Sequence, residues 1–402
     1  MTTAPLTPPL HHIRVLDLSR VVAGPLCSMM LSDLGATVIK IEAPQQGDDS
    51  RLQPPTAGGE SHLFLSVNRN KKSVALDVRT PAGLEVFWGL AAKSDVLVEN
   101  FRPGTTARLG IDYAAVASRC PQLLYCSISG YGQTGPMSQR GGYDPVMQAE
   151  TGMMSINGFS NGEPLRHPLP ITDITTAHYA TQAILAALLA RQESGQGQHI
   201  DLALFDVAVA TMLNFNHYYL AAKADPPRLG NEHPTAVPMA LIDTSTGPFY
   251  LALANDRLFK VLCETVLQRP DIVQDAKFAS NPVRVANRDE LMSLLRPLFA
   301  NDTRENWLQR LQEAGLPSGA VRTISENLTS QDVADRNLVA HVPHPTAETV
   351  ELVNSPVNFS ATPVANPVAP PLLGQHTDEV LQDVLGYDQA RLDQLRQHQA
   401  IR

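Results

Sequence analysis

In the first third of the chain, short apolar runs alternate with helix-like stretches, and this alternation restricts the fold more than any other feature. Residues 13–18 (IRVLDL), 37–41 (TVIKI), 73–78 (SVALDV), 95–99 (DVLVE) and 123–128 (LLYCSI) read as strands. Residues 24–34 read as a helix, with Pro25 near the start and Gly35 at the end. Thr80 offers a cap oxygen and Pro81 a first helical position for a helix running to about residue 93. Strand, helix, strand in repetition predicts an α/β fold with a parallel sheet covered by helices.

Further along, residues 174–191 form a strongly helical segment that residues 194–198 (SGQGQ) break. A strand over 199–204 and a long apolar helix to about residue 222 follow, and Pro226-Pro227 marks a boundary. Residues 228–323 have a different texture: a loop, a strand pair around Thr246-Gly247, then helices. A chain of 402 residues, 43% hydrophobic, is long for one domain. The expected division is 1–225 for the first part of a large domain, 226–325 for a small α+β domain, and 326–402 for the C-terminal segment. A final helix is expected near Thr377, and no internal repeat is visible.

The net charge of −9 and the lack of a Lys/Arg run argue against nucleic acid as a partner. Cys27, Cys120, Cys126 and Cys263 form no Cys-x-x-Cys pair and read as reduced core thiols. The sequence has no His-Glu-x-x-His, so no metal site is expected, and no Gly-x-Ser-x-Gly elbow. Without a signal-like opening or an apolar run of membrane-spanning length, the expectation is a cytoplasmic protein that does not engage a membrane.

Gly130-Tyr131-Gly132-Gln133-Thr134-Gly135 has the glycine spacing of a dinucleotide site, but Pro136 follows where a helix would have to open. The spacing therefore reads as a loop. Asp173 stands just before the apolar helix. One reading is an N-cap; another is a carboxylate that a helix N-terminus keeps ionised and nucleophilic. Gly141-Gly142-Tyr143-Asp144 is a turn that brings a second carboxylate into the same stretch of sequence.

Several stretches together resemble the class III coenzyme A transferases, the group of formyl-CoA transferase, carnitine CoA-transferase and alpha-methylacyl-CoA racemase. They include Arg20 to Pro25 (RVVAGP), Asp33 to Glu42 (DLGATVIKIE), Asn68 to Asp77 (NRNKKSVALD), Val98 to Gly104 (VENFRPG), Asp173 with its helix, and Pro371 to Thr377 (PLLGQHT). The resemblance is strongest to the branch that acts on dicarboxylates such as succinate and glutarate. It implies a Rossmann-like large domain that takes both chain ends, an inserted small domain, and an interlocked ring-like homodimer. It makes Asp173 the nucleophile and puts Tyr143 and Asp144 beside the substrate. It places coenzyme A against Val22, Ala23, Leu76, Arg79, Asn100, Phe101 and Arg108, as substrate rather than permanent cofactor. The implied reaction moves coenzyme A from an acyl-CoA, such as succinyl-CoA, to a carboxylic acid through an aspartyl anhydride and an aspartyl-CoA thioester. The alternative is a 2-methylacyl-CoA racemase of the same fold; racemases usually have histidine where Tyr143 stands, which favours transfer. Arg79, Lys71, Lys72, Arg102 and Arg108 are candidate cations for phosphates, and Arg140 and Arg166 for the far end of a dicarboxylate.

Overall fold

The structure is a computed structural model that describes residues 6–402. It divides into two compact units. The first takes the chain up to Met153, Arg166–Lys223 and Asp332–Arg402; the second takes Met154–Leu165 and Ala224–Gln331.

The first unit is built on a six-stranded sheet. Its strands are β1 (Arg14–Asp17), β2 (Thr37–Glu42), β3 (Lys71–Ala75), β4 (Val96–Glu99), β5 (Leu124–Ser129) and β6 (His199–Ala203). They pair in parallel throughout, in the order β3-β2-β1-β4-β5-β6. This is the order of doubly wound dinucleotide-binding folds, whose strand order reverses between β1 and β4. Clefts outside the carboxyl ends of the strands open at that reversal.

The strands read as continuous apolar runs because both faces are buried. Val15, Val38, Val98 and Cys126 point to one face, where they pack with α1 (Ala23–Asp33) and the 24-residue helix α5 (Ile171–Ser194). Leu16, Ile39, Leu97 and Tyr125 point to the other, under α2 (Pro81–Ala91) and two helices from the chain end, α7 (Thr377–Leu385) and α8 (Gln389–Gln397). Adjacent residues reach opposite faces because side chains alternate along a strand. Ala177, Ala180 and Ala187 keep the core-facing side of α5 narrow, so the helix can approach the sheet closely.

Two further helices, α3 (Tyr113–Arg119) and α4 (Asp144–Glu150), follow β4 and β5, and the second of them supports the site. The long helix expected to end near residue 222 is divided. α6 (Leu204–Thr211) stops before Leu213, whose φ is +39°, and a separate helix, Leu213–Ala222, follows. The second unit has a three-stranded antiparallel sheet, with Met239–Ile242 and Phe249–Ala252 joined through Thr246-Gly247 and Ser318–Ala320 at the edge. Helices close its core around Phe249, Phe259, Phe299 and Leu311.

Candidate active site

The site rests on a buried charge network at the carboxyl end of the sheet. Asp17, the last residue of β1, accepts from Lys71 Nζ at 3.0 Å and from Ser28 Oγ at 2.6 Å. Lys40, on β2, is fully buried and pairs with Asp48 at 2.9 Å. Burial pushes the Asp17 carboxyl up, but Lys71, Lys40 and the hydroxyls of Ser19 and Ser28 outweigh it and hold the group well below the usual carboxylate range. Lys71 is pulled down to about 8 by burial and still carries its charge at neutral pH. The sequence reading counted Lys71 and Lys72 among cations for phosphates. The structure corrects this for Lys71, which is sealed in the network; Lys72 is partly exposed and pairs with Glu379 at 2.7 Å.

The network holds the turn between β1 and α1. Asp48 accepts from Val21 N at 3.0 Å. Asn100 grips Arg20 from both sides, accepting from its N–H at 2.8 Å and donating to its carbonyl at 2.7 Å. These bonds hold Val21 at φ +71°, a conformation that costs a β-branched residue about 1–3 kcal/mol. The turn delivers Val22 and Ala23 to the start of α1, which has no side-chain cap. Uncapped first-turn amides favour an anion.

Opposite stands Asp173. The helix was expected to begin at residue 174; it begins at Ile171, so Asp173 lies within the first turn and caps nothing. The cap comes from elsewhere. Asp144, buried at the start of α4, accepts from Thr172 N at 2.8 Å and from Gln148 Nε2 at 2.7 Å. Gln148, also buried, receives the His167 amide at 2.8 Å and so fixes the loop entering α5. Asp173 is thereby left without a hydrogen-bond or ion-pair partner among the described residues. Burial first, and the Asp144 charge second, push its carboxyl up to about 7. Of the two sequence readings, an N-cap or a carboxylate that the helix N-terminus keeps ionised, the first does not hold, and burial and a like charge push against the second.

Gly130 and Gly142 meet back to back. A Cβ on Gly130 would stand 3.1 Å from Gly142 Cα, and one on Gly142 would stand 3.0 Å from Gly130 Cα. This contact brings the loop carrying Tyr143, which is exposed, to the end of β5. The Gly130–Gly135 segment is a loop with no helix at its third glycine, as its Pro136 predicts.

A cleft of about 330 Å³ opens between these parts, lined by Val22, Ala23, Asn100, Phe101, Arg102, Tyr143 and Asp173 among others. A second cleft of about 280 Å³, lined by Leu76, Arg79 and Leu109, shares Arg20, Phe101 and Thr105 with it. Six of the seven residues expected to meet coenzyme A thus line these two clefts. Arg108 lines neither, although it donates to Thr105 Oγ1 at 3.0 Å. Arg79 is exposed and paired with Asp77 at 2.7 Å. Asp144 stands behind the cleft wall rather than on it. Arg140 is tied to Glu150 and lies over the Tyr131 ring, and Arg166 does not line the cleft. The sequence reading missed Asp48 and Gln148 as scaffold, and Ser129, whose buried Oγ lines the cleft without a partner. None stands in a recognisable motif; they matter only through contacts distant in sequence.

The model of CoA-transferase family III matches residues 10–377. The chain belongs to the CoA-transferase family III. This enzyme is 39% identical to succinyl-CoA:glutarate CoA-transferase of Mus musculus, over 96% of its own length and 89% of that protein's. It is 37% identical to succinate–glutarate CoA-transferase of Agrobacterium fabrum, over 94% and 96%. Among solved structures, a CAIB/BAIF family protein from Brucella suis superposes with a TM-score of 0.85 at 34% identity, covering 94% of this transferase and all of that chain. The mouse and Agrobacterium relatives carry transferase names, which does not favour the racemase alternative. Among the described residues no group of three or more His, Cys, Asp or Glu side chains could hold a metal, and no helix is long and apolar enough to cross a membrane.

Proposed function

We propose that this family III transferase moves coenzyme A from a dicarboxylic acyl-CoA, such as succinyl-CoA, to a dicarboxylic acid such as glutarate, with Asp173 as the covalent carrier. The observation that carries the reading is the withdrawn, unpaired Asp173 carboxylate on a cleft at the sheet's switch point.

In the first step an Asp173 oxygen attacks the thioester carbonyl. The C–S bond breaks, coenzyme A leaves as thiolate, and a mixed anhydride remains. The thiolate then attacks the aspartyl carbonyl and expels the donor carboxylate, leaving an aspartyl-CoA thioester. The acceptor carboxylate repeats the two exchanges in reverse order: it displaces the thiolate to form a new anhydride, and the thiolate takes the acceptor acyl group and restores Asp173. Carboxylates are weak nucleophiles and anhydrides hydrolyse, so the scheme demands close positioning and exclusion of water. The absence of a cation beside Asp173 suits it, because a tight ion pair would lower nucleophilicity. The uncapped α1 first turn and the unpartnered Ser129 hydroxyl border the cleft and are the donors this reading assigns to the oxyanion of each tetrahedral intermediate; losing one such donor typically costs about 10²–10³ in rate. Asp144 acts through Thr172 and Gln148 as a positioning group, and Tyr143 meets the acyl portion.

A homodimer belongs to the same reading. The Leu213–Ala222 helix buries none of its residues and exposes Leu213, Tyr218, Tyr219 and Leu220, an apolar surface of the kind a second copy covers.

Incubation with succinyl-CoA and a panel of acids, followed by mass spectrometry of the CoA esters, tests the activity. We expect glutaryl-CoA from the wild type, a loss of at least about 10⁴-fold in Asp173→Ala, and hydroxylamine trapping at Asp173 only when acyl-CoA is present. Transfer persisting in that variant removes Asp173 from its role. Exchange of the α proton in deuterated water without acceptor acid would point to racemisation instead.

A further inference from the structure

We propose that Arg102 receives the second, non-reacting carboxylate of the dicarboxylic acid whose first carboxylate exchanges coenzyme A at Asp173. This assignment rests on the transfer reading above and adds to it the residue that selects diacids.

A second carboxylate entering a cleft that already holds one is favoured by a cation that meets it with charge-assisted hydrogen bonds; Arg102 is exposed, so its guanidinium is open to such a group. Two cations line the Asp173 cleft, Arg20 and Arg102. Arg20 is committed: it lies 3.3 Å from Asp49 and 5.1 Å from the Phe101 ring centroid, and its backbone is clamped by Asn100. The Arg102 guanidinium has no ion pair or hydrogen bond among the described residues.

Its seat is provided by a glycine. A Cβ at Gly141 would stand 3.1 Å from Arg102 Nη2, so the bare backbone lets the guanidinium lie close against the loop that presents Tyr143. Arg102 shares this cleft with Asp173 and forms no ion pair with it among the described residues. Burial and Asp144 are the influences felt by Asp173, with no cation among them. A cation on the cleft but not paired with the reacting carboxylate is where the far end of a diacid belongs. The two arginines named from the sequence for this task are unavailable to it, Arg140 through its pair with Glu150 and Arg166 by its position off the cleft. A guanidinium further suits the task because its fork meets both oxygens of a carboxylate at once.

The rival use of Arg102 is a coenzyme A phosphate, and the two separate cleanly. In Arg102→Met, KM for glutarate is expected to rise at least about tenfold, with the dissociation constant for free coenzyme A, read by calorimetry, unchanged. Arg102→Lys, which keeps the charge without the fork, should fall between the two. A parallel loss of coenzyme A affinity would reassign Arg102 to the phosphates, and an unchanged glutarate KM would make it a solvated surface charge; either overturns the proposal. Retained coenzyme A binding reports that the variants fold, and Arg102→Lys stands in if the methionine variant does not. If the wild type transfers coenzyme A to no acid, both the transfer reading and this assignment fall; if it transfers normally and only the variants behave like it, the assignment alone falls.

Discussion

Asp17, fully buried, and Asp173, half-buried on its cleft, are both carboxylates near the carboxyl end of one sheet, and they end in opposite states. Burial pushes each one up. Around Asp17, Lys71, Lys40 and two hydroxyls reverse the push, and the carboxyl stays ionised far below its ordinary range. Around Asp173 the only other influence is Asp144, which adds to the push and brings the group to about 7. Company, more than depth, therefore decides which aspartate is a structural anion and which one is held ready to react.

The contrast can be broken most forcefully at Asp17. Asp17→Asn leaves Lys71 and Lys40 buried with one counter-charge fewer, and the folded state should lose about 3–5 kcal/mol in urea denaturation. A loss below about 1 kcal/mol would mean that the network contributes little to stability.

Asp173 should respond in the opposite sense. A carboxyl whose folded value is raised binds its proton more tightly in the native state, so stability falls as pH climbs from the ordinary 3.8 to about 7 and is level above. Asp173→Asn escapes that loss. It should be more stable than the wild type by roughly 1–3 kcal/mol at pH 8, with the gap closing below pH 4. Denaturation curves at the two pH values decide, and an unchanged gap between them would show that the carboxyl is not held neutral.

The smallest effect sharpens the role of Asp144. Single-turnover release of coenzyme A from acyl-CoA should rise with pH through a limb near 7, as Asp173 ionises. Asp144→Asn removes the like charge and should shift that limb to lower pH. A limb that stays in place would leave burial as the whole cause.

Much of this arrangement was readable in the chain. The strands are short, apolar and β-branched, and five of the six lie in the first 130 residues, so the parallel sheet follows from local pattern. Asp173 stood out because an acidic residue opens a long apolar helix. Its surroundings did not. Pro170 and Ile171 start that helix earlier than its apolar run implies, and the cap comes from Asp144, 28 residues upstream of the amide it receives. Lys71 looks like a surface cation beside Lys72, yet the first points inward to Asp17 and the second outward to Glu379, because neighbours on a strand face opposite ways. Arg102 was legible as a cation in the right segment but not as the one without a partner. That distinction depends on which acidic groups the fold brings near Arg20 and Arg140.

The paired glycines at 130 and 142 carry a consequence for anyone redesigning the enzyme. With each Cβ 3.0–3.1 Å from the facing backbone, and the one at 142 closer still to Met147 Cε, alanine at either position would push the strand end and the Tyr143 loop apart by a few tenths of an ångström. Libraries aimed at longer or branched acids gain nothing there. Diversity has to be introduced at Tyr143, Arg102 and Leu204, whose side chains line the same cleft and leave that seam closed.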